Sequence, residues 1–337
     1  MDAPEGATFE VSEPGRERVL VAGCGAIGSV LACLLAEDGC RIDAIGRGPH
    51  FDEARTRGLR VEGIWGIHEA PLAAAFTEGA AACGPYDAIL VTCKASQTPP
   101  LLRSLPDGCL AGQGRAISLQ NGLGNVEKLA ERFGRERSLA GRVIFGAEIA
   151  APGTVRVTVE AEPTLIGHPA SAHDDGADRW AARFARAGIP AAPSEAILGA
   201  LWGKVFYNAA LNPLGALLSL SYGELAADPA RRRVMDRVID EAFAVAEAEG
   251  VRLAWKDAAE YRRVFHERLV PVTAAHRSSM LQDLERGRRT EIDAICGEVC
   301  RRGDARGIDV SANRVLLALV QERSAAAGAT RRDRLGR

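Results

Sequence analysis

Residues 201–217 read LWGKVFYNAALNPLGAL, and within this apolar run stand Lys204, Asn208 and Asn212, each four residues from the next. On a helix that spacing sets all three along one face. A lysine and two asparagines on an otherwise buried helix are costly unless something polar satisfies them. The stripe therefore reads as the floor of a polar pocket. Lys204 is the first candidate for acid–base chemistry, because burial lowers a lysine pKa toward neutrality. Asparagine amides donate and accept at once, so Asn208 and Asn212 can serve the lysine, a hydroxyl or a carboxylate.

A second constellation lies near the start of the chain. The run Arg18–Gly23 (RVLVAG) is a short β-branched strand signal that leads into Gly23-Cys24-Gly25-Ala26-Ile27-Gly28, a GxGxxG. After a strand and at the head of a helix, this pattern reads as a cradle for a dinucleotide pyrophosphate. Gly23 permits the tight turn, Gly25 lets the backbone approach the phosphates, and Gly28 lets helix and strand pack closely. The helix start adds N–H groups and a positive dipole end. At the tip of the second strand a carboxylate would bind a ribose 2′-hydroxyl. The chain instead reads Ile45-Gly46-Arg47-Gly48, with Asp43 back inside the strand on the face of Ile45. Arg47 can pair with a 2′-phosphate, which favours NADPH (NADP+) as cofactor.

The elements that must position these groups divide the chain in two. Strand 18–23, a helix over 29–38 and strand 40–45 form a βαβ unit, the building block of a parallel sheet. Segments 88–93 (AILVTC) and 115–119 (RAISL) read as further buried strands, and residues 140–168 as antiparallel strands at the end of the sheet. Beyond Pro193 helical patterns take over, at 196–220, 230–249, 255–284 and 290–303. The expected fold class is α/β: an N-terminal Rossmann-type parallel-sheet domain over 18–193, then an all-helical C-terminal domain over 194–323. Residues 1–17 read as a flexible extension and 324–337 (SAAAGATRRDRLGR) as a disordered tail.

The 337 residues allow two domains, and 47% hydrophobic content with 5% aromatics allows a core built from Ala, Val, Leu and Ile. A net charge of −2 argues against nucleic-acid or membrane partners. The eight cysteines form no CxxC pair and no zinc spacing, which suits a reducing cytoplasm, and the six histidines form no ligand pair, so no metal is expected. The N-terminal stretch lacks the apolar region of a signal peptide.

Taken in order, GCGAIG at 23–28, ILVTCKA at 89–95, LQNGLGN at 119–125, LWGKVFYNAALNPL at 201–214 and SSMLQDLERGRRTEID at 278–293 resemble the ketopantoate reductases (2-dehydropantoate 2-reductases), over about residues 18–320. The resemblance implies that Lys204 is the catalytic lysine that protonates a ketone oxygen as hydride arrives, and that Glu291 is the active-site glutamate. It places Asn208, Asn212 and Ser279 at the substrate, and Lys94 and Asn121 where cofactor and substrate meet. The physical reading agrees: hydride attack on a 2-keto acid builds negative charge on the carbonyl oxygen, and an ammonium within reach stabilises that charge and supplies the proton. Read from the residues alone, Ser279 and Asp283 could instead share a local hydrogen bond one turn apart, and Glu291 could be an exposed helix-start carboxylate.

One segment departs from the pattern. Members of the family carry small hydroxyl residues before the glycine of Val143–Glu148 (VIFGAE), whereas this chain has Ile144 and Phe145, bulky side chains that could reshape the pocket for a larger keto acid. No arginine stands out as a carboxylate clamp, which leaves the carboxylate to Ser279 and amides. The sequence thus predicts an NADPH-dependent reductase of a small 2-keto acid, with 2-dehydropantoate first, another 2-keto or 2-hydroxy acid as the alternative, and a non-catalytic NADPH sensor as the alternative of another class. It is compatible with a homodimer.

Overall fold

The structure is a computed structural model that describes residues 16–335. The flexible extension expected over 1–17 lies outside the described residues except for its last two, and these are tied down. Arg16 Nε donates to Gly39 O at 2.7 Å, and Glu17 pairs with Arg183 at 3.1 Å.

Among the described residues twelve strands form two sheets: β1 (Arg18–Ala22), β2 (Arg41–Ile45), β3 (Leu59–Gly63), β4 (His68–Ala70), β5 (Ala74–Phe76), β6 (Tyr86–Val91), β7 (Leu110–Ser118), β8 (Ser138–Arg142), β9 (Phe145–Ala151), β10 (Thr154–Glu160), β11 (Thr164–Gly167) and β12 (Ala191–Pro193). The large sheet runs β12-β11-β8-β7-β6-β1-β2-β5 and is parallel except where β11 meets β8. From β1 the chain winds outward through β2 to β5, then crosses back to β6 and winds the other way. The carboxyl ends of β1 and β6 therefore flank the reversal of strand order, where open α/β sheets bind ligands.

The helices of this half are α1 (Ala26–Glu37), α2 (Pro49–Arg57), α3 (Thr98–Ser104), α4 (Asn125–Phe133) and α5 (Asp175–Arg186). Residues 140–168 do not simply extend the large sheet. The β9–β10 hairpin joins β3 and β4 in a separate four-stranded sheet, β4-β3-β10-β9, while the end of β8 and β11 stay in the large one. The reason lies in burial. Val155 and Val157 face inward on β10, and both sheets cover α1, whose run from Gly28 to Leu35 is buried all round.

The second half is helical: α6 (Ile197–Leu218), α7 (Tyr222–Ala227), α8 (Pro229–Ala248), α9 (Ala258–Val264), α10 (Val270–Val272), α11 (Ser279–Glu285), α12 (Cys296–Asp304) and α13 (Ser311–Leu335). At its centre α6 packs against α8, α11 and α13, with Trp202 and Phe206 stacked among Phe243, Tyr261 and Phe265. The single helix expected over 255–284 is broken. Pro271 cannot donate its N–H, and its ring crowds the carbonyl of Glu267. The preceding turn, Phe265–Leu269, widens to a π-helix, and the chain leaves helical geometry before Ser278 restarts it.

Helix α13 was not foreseen, and the tail expected to be disordered from Ser324 continues within it to Leu335. Its start is anchored by the buried Glu241, which accepts from the backbone N–H groups of Ala312 and Asn313 at 3.0 Å each. A carboxylate there suits the positive end of a helix. Among the described residues, no helix is long and apolar enough to cross a membrane.

Candidate active site between the two halves

The glycine loop is built as its spacing requires. Gly23 has φ +118°, and a Cβ on it would run into the backbone of Cys93, the residue that follows β6 and Thr92. A Cβ on Gly28 would strike the carbonyl oxygen of Gly23. At Gly25 a Cβ would meet nothing within 4 Å, so the space in front of the loop is open. The N–H groups of Gly23 and Cys24 both donate to Ile45 O, at 3.0 and 2.9 Å, and Thr92 Oγ1 donates to Gly23 O at 2.8 Å. Cys24 thus shapes the turn and has no amide to spare for a phosphate. Its thiol is buried beside Ser29 Oγ at 3.3 Å, and burial pushes it up to about 11.

The free donors are the first-turn amides of α1, at Ala26, Ile27 and Gly28, which have no intrahelical acceptor. No side chain caps this helix and no acidic residue stands in its first turn. The donor set fits a pyrophosphate. Arg47 is exposed on the loop after β2, between Gly46 and Gly48, with no ion-pair partner among the described residues. Asp43 is spent elsewhere: it is fully buried, pairs with Arg18 at 2.6 Å and accepts from Tyr86 Oη at 2.9 Å.

The stripe on α6 comes from the helical half, where α6 packs against β8. Lys204 Nζ donates to Val143 O at 2.6 Å, where the chain passes from β8 to β9. Burial pushes the ammonium down to about 8; the negative charge of Glu291 opposes this and the positive charge of Arg142 adds to it. Asn208 is 8% exposed, and neither end of its amide has a partner among the described residues. Asn212 is 5% exposed and accepts from Tyr222 Oη at 2.7 Å through Oδ1.

Four contacts draw the halves together. Asn121 Nδ2 donates to Glu291 Oε2 at 3.0 Å. Lys94 Nζ is ion-paired with Asp283 and also donates to Arg289 O at 3.2 Å. Leu123 N donates to Ala294 O at 2.8 Å, an approach that needs the bare backbone of Gly122 (φ +83°). Glu291 does stand at a helix start, that of the short turn Ile292–Ala294, but it is half-buried and bonded to Asn121 rather than exposed. The local bond between Ser279 and Asp283 does not form, because Asp283 reaches Lys94 instead. Ser279 is exposed and makes no side-chain hydrogen bond among the described residues, while its neighbour Ser278 caps α11 by accepting from Leu281 N at 3.1 Å.

The bulky pair at Ile144 and Phe145 divides. Phe145 is 7% exposed and stacks on Trp65 at 4.8 Å in the core under the small sheet, while Ile144 stays half-buried beside Lys204's acceptor, Val143.

Sequence reasoning missed three supports. Gln120 is 6% exposed and ties the loop after β7 to the loop after β6, donating to Cys93 O at 2.6 Å and to Thr98 Oγ1 at 2.7 Å. It adjoins Asn121 in LQNGLGN, so its type and place were visible though its partners were not. Arg302 on α12 holds Glu249 at 3.0 Å, Glu298 at 3.1 Å and, across the interface, Glu127 of α4. Tyr222 carried no signal at all.

Known proteins bear on this arrangement. A family model described as "Ketopantoate reductase PanE/ApbA" matches residues 19–171, and its C-terminal counterpart matches residues 196–324. The 2-dehydropantoate 2-reductase of Aquifex aeolicus is 36% identical over 90% of this chain and 96% of its own length. The chain belongs to the ketopantoate reductase family. A second member, the 2-dehydropantoate 2-reductase of Pyrococcus horikoshii, is 31% identical over 93% of this chain and all of its own. Among solved structures, a PanE/ApbA family ketopantoate reductase from Ralstonia eutropha JMP134 superposes with a TM-score of 0.81 at 34% identity, covering 92% of this chain and 99% of that one. A D-mandelate dehydrogenase solved with NADH and anilino(oxo)acetate shares the ketopantoate reductase fold at a TM-score of 0.82, with 23% identity over 92% of this chain and 99% of its own. The α/β fold class expected from the sequence is the one this family has.

Proposed function

We propose that this ketopantoate reductase family member is an NADPH-dependent enzyme that reduces 2-dehydropantoate to (R)-pantoate in the cytoplasm. The observation that carries the reading is the buried Lys204 ammonium, lowered to about 8, in a cleft that Asn121 and Glu291 span at 3.0 Å. A proton donor of that acidity is largely charged at neutral pH and still gives its proton up readily.

Bound NADPH would supply the hydride. The first-turn amides of α1 would hold its pyrophosphate, Arg47 its 2′-phosphate, and Lys94 and Asn121 would border it on the cleft side. Lys204 donates a hydrogen bond to the keto oxygen, stabilises the charge that grows there, and passes its proton from Nζ to that oxygen as the C–H bond forms. Glu291 keeps the lysine charged until then and orients Asn121. Asn208, with both ends of its amide free, is placed to meet a substrate oxygen or hydroxyl.

The test is steady-state kinetics with NADPH across a panel of 2-keto acids. 2-Dehydropantoate is expected to lead in kcat/KM. A hundredfold preference for another keto acid, about 2.7 kcal/mol of transition-state binding, would overturn the choice of substrate. Lys204→Ala is expected to lower kcat by orders of magnitude with NADPH affinity nearly unchanged. Binding of NADPH without turnover in the unmodified protein would point to a sensor instead.

A further inference from the structure

Tyr222 opens α7, ten residues past Asn212, and is 3% exposed. A capping box of Ser221 and Glu224 starts the helix, and the backbone N–H of Tyr222 donates to His276 O at 3.1 Å. Its ring lies edge-on to Tyr207 at 5.8 Å and against His276 at 5.1 Å. The hydroxyl is therefore held on a fixed mount, and burial keeps it protonated far into the alkaline range.

That hydroxyl has one partner among the described residues, Asn212 Oδ1 at 2.7 Å. A buried phenol must place its proton on an acceptor. Turning the Asn212 amide over would present Nδ2 to the phenol and leave its proton unmatched. The orientation with Oδ1 toward Tyr222 is thus the stable one. It turns the acceptor end of the amide toward Tyr222 and leaves Nδ2, with no partner among the described residues, as the end free to donate. Asn212 then holds its amide in one orientation with the donor end outward, whereas Asn208 can turn either end of its amide to a ligand.

Position along the helix says which substrate atom this concerns. Asn212 lies eight residues beyond Lys204, about 12 Å along the axis at 1.5 Å per residue. The carboxylate and ketone of a 2-keto acid are on adjacent carbons. With the ketone at Lys204, Asn212 is the stripe residue farthest from it and lies toward the side where the other end of the substrate would be. We propose that Tyr222 is a positioning residue that locks Asn212 as a donor to the distal oxygen of the substrate, and so favours keto acids that carry a hydroxyl there. This rests on the function proposed above.

The experiment is a cycle between enzyme and substrate. kcat/KM is measured with 2-dehydropantoate and with the same carbon skeleton lacking the terminal hydroxyl, for the unmodified enzyme, Tyr222→Phe, Asn212→Ala and the double variant. Tyr222→Phe is expected to lower the ratio of the two values about tenfold, mainly through KM for the hydroxylated substrate, with KM for NADPH unchanged. On the Asn212→Ala background the same change is expected to leave the ratio where it was, because Tyr222 acts through Asn212. Equal losses on both substrates, or a further drop in the double variant, would overturn the proposal. If the unmodified enzyme turns over neither substrate, the function itself fails and this inference falls with it. If it reduces 2-dehydropantoate and the ratio does not move, only the role of Tyr222 fails.

Discussion

The proton donor is best probed through the charges around it. Burial takes Lys204 from 10.5 to about 8. At 1.36 kcal/mol per unit this is about 3 kcal/mol in favour of the neutral amine. The donor must be protonated, so kcat/KM for the keto acid is expected to be flat below about pH 8 and to fall tenfold per unit above it. Two substitutions should move this limb in opposite directions. Glu291 raises the lysine, so Glu291→Gln shifts the limb down by roughly one unit, at the low end of the range for a neighbouring charge. Arg142 lowers it, so Arg142→Met shifts the limb up. Both variants also change the absolute rate, which is why the position of the limb is the readout. Unfolding gives an independent check. The folded pKa lies below the unfolded one, so the buried ammonium opposes folding below about pH 8, and that opposition fades as pH rises toward 10.5. Lys204→Met is therefore expected to raise stability at pH 7, by at most about 3 kcal/mol less the lost bond to Val143 O, and to gain nothing at pH 10.5. A limb near pH 10, or two variants that move it the same way, would refute the assignment.

Two further outcomes test the cofactor side. Arg47→Ala is expected to raise KM for NADPH by roughly 10- to 100-fold, the worth of one charge-assisted contact, and to leave KM for NADH within about twofold. The glycines should separate by role. Gly25→Ala meets open space at an extended φ of −89°, so its thermal unfolding should match the unmodified protein while titrated NADPH binds at least about tenfold more weakly. Gly23→Ala combines φ +118° with a collision against Cys93 and should lose about 3 kcal/mol of stability before any binding is measured.

Much of the site was legible because its signals are local. A GxGxxG behind a β-branched strand has one common structural use, and each glycine met the steric demand its place implied. A polar residue every fourth position on an apolar helix can only be a stripe, since 3.6 residues per turn leave no other geometry. Burial of Lys204 followed from its neighbours in sequence, and with burial came the lowered pKa. The fold class followed from the change of period at Pro193, from short strands to long helical patterns.

The rest depended on partners remote in sequence. Nothing near Asp283 marks it as the partner of Lys94, 189 positions away, and its own helix offered Ser279 as the simpler choice. The β9–β10 hairpin reads the same whether it extends one sheet or founds another; the need to cover α1 on its second side decided that. Helix α13 left no mark in the sequence reading, and its end from Ser324 looked like a tail, because the carboxylate that anchors its start, Glu241, lies on α8. Phe145 looked like a pocket residue until the packing turned it onto Trp65. By itself the sequence determined which chemical groups this protein has and which local backbone carries them, because periodicity and steric demand act over a few residues. Only the tertiary structure decided which groups meet: Lys204 with Val143, Asn121 with Glu291, Lys94 with Asp283, Asn212 with Tyr222. Those pairings depend on how the sheets and helices pack, and that packing is settled by burial over the whole chain.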